Sequence, residues 1–138
     1  MEKHDPKIEE VRQFLQSAIA VYPDFNQWFD HKVIPGLRSG TRFILTRRLD
    51  QKLCGVCILK NENEKKICTL KIHEDYRRIG LARSLCDEAV NNLGTTKPHI
   101  TMPLDMVPSF SKIIQHYEWV GPYIRIEKDG RKEALFNI

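Results

Sequence analysis

Apolar positions along the chain change period several times, and the changes mark out its elements. Behind Asp5-Pro6, a capping residue followed by proline, Ile8, Val11, Leu15 and Ile19 recur at helical spacing and predict a helix to about Ala20. Pro23 and Asp24 open a second, shorter helix with Phe25, Trp28, Phe29 and Val33 on one side; Pro35-Gly36 ends it, and GLRSG reads as a loop. The period then becomes that of strands. RFILTRR and LCGVCILK flank Asp50-Gln51 as a hairpin, the polar NENEKK makes the next turn, and ICTLKI is a third strand. Leu81, Leu85 and Ala89 form one row with Ala82, Cys86, Val90 and Leu93 beside it, which predicts a helix over Leu81–Leu93 with one buried face.

HITM, between Pro98 and Pro103, has room only for a short strand, and the helix before it requires that it run parallel to ICTLKI. A last helix from Pro108 to about Trp119 carries Phe110, Ile113, Ile114 and Tyr117, and PYIRIEK and KEALFNI close as a hairpin over Asp129-Gly130. The order α-α-β-β-β-α-β-α-β-β, without repeats or a linker, predicts one mixed α/β domain over residues 1–138.

Composition narrows the class without naming a function. With 41% hydrophobic and 29% charged residues the chain reads as a soluble domain, and no apolar run approaches the roughly 20 residues of a membrane span. The N-terminal MEKHDPKIEE has no apolar leader core, so cytoplasmic residence without a membrane partner is the expectation. The net charge of +4 is spread over short pairs such as Arg47-Arg48 and Lys65-Lys66, whereas a nucleic-acid binder concentrates charge in a stripe. Cys54 and Cys57 have C-x-x-C spacing, but on a strand positions three apart face opposite ways. The four cysteines are therefore expected to be reduced core residues, with no metal and no Cys54–Cys57 bond.

The candidate chemistry lies in KIHEDYRRIGLARSLCDEAV, Lys71 to Val90, where a strand passes through a short loop into a helix with Arg77, Arg78 and Gly80 at the junction. A helix N-terminus leaves its first N–H groups unpaired and partly positive; glycine lets a ligand approach, and arginine adds charge-assisted hydrogen bonds. That combination suits a phosphate or pyrophosphate. Read on its own, the junction is equally a helix entry with solvated arginines and a tight bend at Gly80.

Arg77-x-x-Gly80-x-Ala82, after a strand and opening a helix, resembles the acyl-CoA signature of the GNAT superfamily of N-acyltransferases. HYEWVGP, His116 to Pro122, resembles the family's second segment at the end of its last helix, with Tyr117 and Gly121 in register. The resemblance spans roughly the last hundred residues and implies a mostly antiparallel mixed sheet with a splayed central parallel pair, flanked by helices. It implies acetyl-CoA as acyl donor, no metal, and a pyrophosphate cradled by main-chain amides of Arg78, Ile79, Gly80, Leu81, Ala82 and Arg83, with Arg77 leading the motif. It also implies that the main chain of Leu70 and Ile72 pairs with the pantetheine arm and polarises the thioester carbonyl, and that Tyr117 protonates the departing thiolate.

Several positions depart from the family pattern. His116 and Pro122 replace aromatic residues, Phe110 stands where many members carry asparagine, and Lys66 occupies the position of the glutamate base of the histone-modifying branch. No strand precedes the first helix, where the family usually has one. Glu74, Asp75, Asp105, His73, His99 and His116 are possible proton carriers without distinction among them, and Tyr22, Trp28 and Phe29 border the acceptor region or pack the core. The acceptor is an amine: a small molecule, a protein lysine or N-terminus, or an aminoacyl-tRNA, the one nucleic acid retained as a partner. A homodimer stays open. The expectation is an acetyl-CoA-dependent N-acetyltransferase; the alternatives are a non-catalytic acyl-CoA-binding regulator that docks a partner protein, and a basic RNA-binding module.

Overall fold

The computed structural model describes residues 6–16 and 22–138. Helix α1 covers Pro6–Phe14. The sequence pattern predicts a longer helix, but its end tightens: Leu15 N donates to both Val11 O and Arg12 O, and Gln16 N to Gln13 O, the three-residue bonding of a closing turn. Leu15 nevertheless stays on the buried face with Val11. Asp5 and residues 17–21, including Ile19 and Ala20, lie outside the described residues.

Helix α2, Phe25–Trp28, does not stop at Pro35-Gly36 as the pattern predicts. It passes through a π-helical turn, Phe29–Val33, into α3, Ile34–Ser39, and ends at Gly40 in the left-handed conformation. Proline is tolerated because it falls in the first turn of α3, where a missing N–H costs little. Gly36 marks a close approach rather than a stop: a Cβ there would lie 2.0 Å from Arg42 Cγ.

The sheet has six strands: β1 Arg42–Leu49, β2 Lys52–Asn61, β3 Lys65–Ile72, β4 His99–Pro103, β5 Tyr123–Ile126 and β6 Lys132–Phe136, in the order β1-β2-β3-β4-β6-β5. All neighbours are antiparallel except β3 and β4. Asp50 and Gln51 both take positive φ, the two-residue turn whose twist matches a hairpin. Leu53 to Leu59 of β2 are buried without interruption, because helices cover both faces of this inner strand. Cys57 and Leu59 join Ile67, Ile100, Ala134 and Phe136 on one face. Val56 and Ile58 join the α1–α3 residues on the other.

Helix α4, Leu81–Leu93, lays Leu85, Cys86, Ala89 and Leu93 on the first of these faces, as its periodicity predicts. The last helix is shorter than predicted. Pro108 sits inside a 3-10 segment, Leu104–Phe110, and α5 itself is Ser111–Tyr117. Proline supplies no N–H to an α-helical ladder, so regular bonding begins only beyond it.

All four cysteines are free thiols. The β1–β2 register slips between Arg47 and Arg48, leaving Cys54 without a register partner on β1. Burial, the largest effect, pushes the Cys57 thiol well up and the Cys86 thiol up to about 12. Among the described residues no group of three or more His, Cys, Asp or Glu is placed to hold a metal ion, and no helix is long and apolar enough to cross a membrane.

Candidate active site at the fork of the sheet

The parallel strands β3 and β4 pair at only two positions, Lys66 with His99 and Ile67 with Ile100. Beyond them β3 runs on to Ile72 and β4 to Pro103 without a shared ladder. His73 N donates to Cys54 O at 2.7 Å, so His73 points its main-chain groups at β2. Alternation along the strand then turns those of Lys71 and Thr69 the same way, and those of Leu70 and Ile72 away from β2, into the fork. Ile72 O there accepts from Arg77 Nε at 3.4 Å. The base of the fork is riveted: Glu64, just before β3, accepts from Lys60 Nζ at 2.9 Å and lies 2.8 Å from His99 Nδ1. The Lys60 hydrogen bond, then that of His99, hold its carboxyl down at about 2.

Downstream of β3 the chain makes a 3-10 turn, Glu74–Tyr76, capped by His73, whose Nδ1 accepts from Asp75 N at 3.1 Å. Arg78 and Gly80 take φ of 68° and 90°, and α4 begins. Its first backbone bond is Ser84 N to Gly80 O, so the N–H groups of Leu81, Ala82 and Arg83 precede the ladder. Among the described residues no side chain caps them and no acid lies in the first turn. Arg77, Arg78, Ile79 and Gly80 are exposed around this end. A Cβ on Gly80 would meet no protein atom within 4 Å; the positive φ is what calls for glycine. Arg47 fixes the start of the helix by donating to Ser84 Oγ at 3.0 Å and Ser84 O at 3.1 Å.

Tyr117, at the end of α5, donates its hydroxyl to Asp87 of α4. Arg83 Nε binds the same carboxylate at 3.0 Å, its guanidinium lies 5.7 Å from the Tyr117 ring centre, and its Nη2 donates to His116 Nε2 at 2.7 Å. Desolvation first, then the Asp87 hydrogen bond, push the phenol up to about 12. The structure thus brings the predicted residues into two linked groups: Ile72 with Arg77, and Arg83 with Tyr117. His73, His99 and His116 are each held by a neighbour, and Asp105 is exposed.

On the opposite face of the sheet, between the α2–α3 segment and β3–β6, lies a cleft of about 950 Å³. None of Leu70, Ile72, Tyr117 or Arg77–Arg83 lines it; Thr69 of β3 and Thr101 of β4 do, one from each arm of the fork. Tyr22 and Trp28 line it as well, whereas Phe29 is buried in the core. Glu133 of β6, 3% exposed, stands in its wall. Tyr22 Oη donates toward both Glu133 oxygens, at 3.3 and 3.4 Å, and Arg131 lies 5.2 Å over the Tyr22 ring. Burial, then the Glu133 charge, push the Tyr22 phenol up to about 12.

Residues 5–130 match the family model described as an acetyltransferase (GNAT) domain. The chain belongs to the GNAT acetyltransferase family. Solved GNAT structures share its fold. PaiA N-acetyltransferase from Thermoplasma acidophilum, solved in complex with coenzyme A, aligns over 91% of this chain and 79% of its own, with TM-score 0.61 and 15% identity. A GNAT-family acetyltransferase from Streptococcus pneumoniae aligns over 75% and 69%, with TM-score 0.58 and 16% identity. A spermidine N-acetyltransferase SpeG chimera from Vibrio cholerae aligns over 75% and 70%, with TM-score 0.57 and 13% identity. A comparison with curated proteins gave no match.

In this GNAT domain Lys66 lines the cleft. Sequence reasoning missed Glu133 and Arg131, which flank a hairpin turn and look like solvated charges. A faint signal was available: in KEALF, Ala134 and Phe136 claim one face, which sends Glu133 to the other, sheltered side of the strand.

Proposed function

We propose that this GNAT domain is an acetyl-CoA-dependent N-acetyltransferase, with the donor on the α4 side of the fork and an amine acceptor in the cleft on the other side. The observation that supports it is the two-pair fork itself. Main chain outside the ladder at Leu70 and Ile72 adjoins an uncapped, arginine-flanked helix start, and Thr69 and Thr101 connect the same fork to the cleft.

In this reading the N–H groups of Leu81 to Arg83, with Arg77 and Arg78, bind the pyrophosphate. The main-chain groups of Leu70 and Ile72 orient the pantetheine arm, and an N–H in this stretch polarises the thioester carbonyl. The acceptor nitrogen attacks the carbonyl carbon; a C–N bond forms and the C–S bond breaks. Tyr117, kept protonated by its raised pKa, gives a proton to the thiolate, and the nitrogen loses its own to water.

The test pairs calorimetry with thiol release over a panel of amines. Acetyl-CoA should bind at about micromolar affinity, roughly −8 kcal/mol, and be turned over on at least one amine. One observation favours a second reading, a non-catalytic acyl-CoA-binding module: the Tyr117 proton is already engaged by Asp87. Binding without turnover on any amine would select it; no binding would overturn both.

A further inference from the structure

The cleft is not neutral. Six cationic side chains line it, Lys32, Arg42, Lys60, Lys66, Arg125 and Arg131, against three carboxylates, Asp24, Glu62 and Glu133. Three of the cations are partly answered from outside the lining: Lys60 by Glu64 at 2.9 Å, Arg125 by Glu127 at 2.6 Å, and Arg131 by Asp129 at 2.7 Å. Among the described residues neither Arg42 nor Lys66 is in an ion pair, and both are half-buried, Lys66 at the fork and Arg42 across from it on β1.

Arg131 is partnered unevenly. Its Nε is held by Asp129 and its plane rests on Tyr22, but Nη1 is buried without a hydrogen bond and stands 3.8 Å from the nearest Glu133 oxygen. A buried guanidinium N–H without a partner is costly, and a planar fork of donors suits a carboxylate or phosphate. Glu133, already occupied by Tyr22 and Arg131, holds this donor in place rather than offering itself to a cationic ligand.

We propose that the acceptor is a small amine that also carries an anionic group, a carboxylate or a phosphate, with the anion bound by Arg131 and the Arg42–Lys66 wall and the amine directed to Thr69 and Thr101 at the fork. The inference rests on the transferase reading above and specifies its acceptor. An excess of positive charge in a half-enclosed cleft raises the local concentration of such a ligand and disfavours a polycation. At about 950 Å³ the cleft fits a small molecule.

The experiment compares acceptors that differ only in the anion: serine with serinamide for carboxylate, phosphoethanolamine with ethanolamine for phosphate, and spermidine as the polycation. Acetyl-CoA turnover is followed by thiol release at low and high salt. At least one anionic member should exceed its partner without the anion by tenfold or more in kcat/KM, and high salt should shrink that ratio. Whichever pair shows it identifies the anion. Arg131→Met, which keeps the stem over Tyr22, should raise KM for that acceptor by tenfold or more. Lys66→Gln, on another strand, should act in the same direction and decides the matter if the first variant does not fold.

Equal or better turnover of the amines without the anion, or of spermidine, would overturn this inference and leave the transferase reading standing. An inert panel with acetyl-CoA bound would also count against it. Failure to bind acetyl-CoA at all would overturn the reading beneath it.

Discussion

The two sides of the fork are built from different materials. In the proposed reading the recognition groups on the α4 side are mostly main-chain: amides at a helix start, strand edges outside the ladder at Leu70 and Ile72, and a loop whose shape depends on positive φ at Arg78 and Gly80. On the cleft side they are side chains from separate segments: Tyr22 and Trp28 before and within α2, Lys66 on β3, Thr101 on β4, Arg131 and Glu133 on the last hairpin. Main-chain donors present one geometry whatever the side chains are, and suit a ligand that never changes. A wall of side chains can be altered position by position without unfolding the sheet, and suits a partner that differs from one enzyme to the next.

The comparison breaks first at Tyr117, a side chain on the α4 side that bonds Asp87. If it supplies the proton, Tyr117→Phe should lower turnover by about 10²–10⁴-fold while acetyl-CoA affinity stays nearly constant. Because the phenol is protonated below its pKa of about 12, wild-type activity should not fall from Tyr117 ionisation near the ordinary value of about 10. An alkaline limb there would have to belong to another group. Steady-state kinetics of the folded variant, with its melting temperature as control, checks this; turnover within about threefold of wild type removes the role.

The next largest effect separates the two sides. Gly80→Val places a β-branched residue at φ of 90°, a conformation that costs an L-residue about 1–2 kcal/mol, so the loop should move and acetyl-CoA affinity fall by tenfold or more. Arg131→Ala, on the opposite face, should leave that affinity within about twofold. Calorimetry giving equal values for wild type and Gly80→Val would remove the loop from cofactor binding. A large loss in Arg131→Ala would erase the distinction between the sides.

The smallest effect tests the rivet both sides share. Glu64 has its folded pKa depressed to about 2, against an ordinary value near 4.5, so its stabilisation is present above about pH 4.5 and lost as pH falls toward 2. The pair is well exposed, so the contribution is under about 1 kcal/mol. Glu64→Gln should therefore lower the melting temperature slightly at pH 6 and by much less near pH 2. An equal loss at both would assign the effect to packing instead.

The difference in materials also explains what could be read from the chain. Arg77 to Ala82 is contiguous, and its strand–loop–helix setting has strong local signals, so the junction, the bounds of α4 and the parallel β4 were legible. The cleft was not: no local pattern relates Lys66 to Arg131 or tells that Glu133 is sheltered. The errors in element bounds have the same origin. Pro35 and Pro108 read as a stop and a start because proline rules assume regular α-helix, whereas the chain passes Pro35 in the first turn of α3, directly after a π-helical turn, and Pro108 in a 3-10 segment.

The two-pair ladder between β3 and β4 has a consequence in the time domain. Strands joined by so few bonds leave the β1–β3 and β4–β6 halves of the sheet held mainly by the side chains between them and by the Glu64 rivet. In deuterated solvent the amides of Leu70 and Ile72, unshared on the fork side, should exchange far faster than that of Cys57 on β2, which pairs with both β1 and β3. A strand-like ligand arm lying in the fork would slow them. The protein therefore carries its own occupancy gauge, readable residue by residue without any label on the ligand.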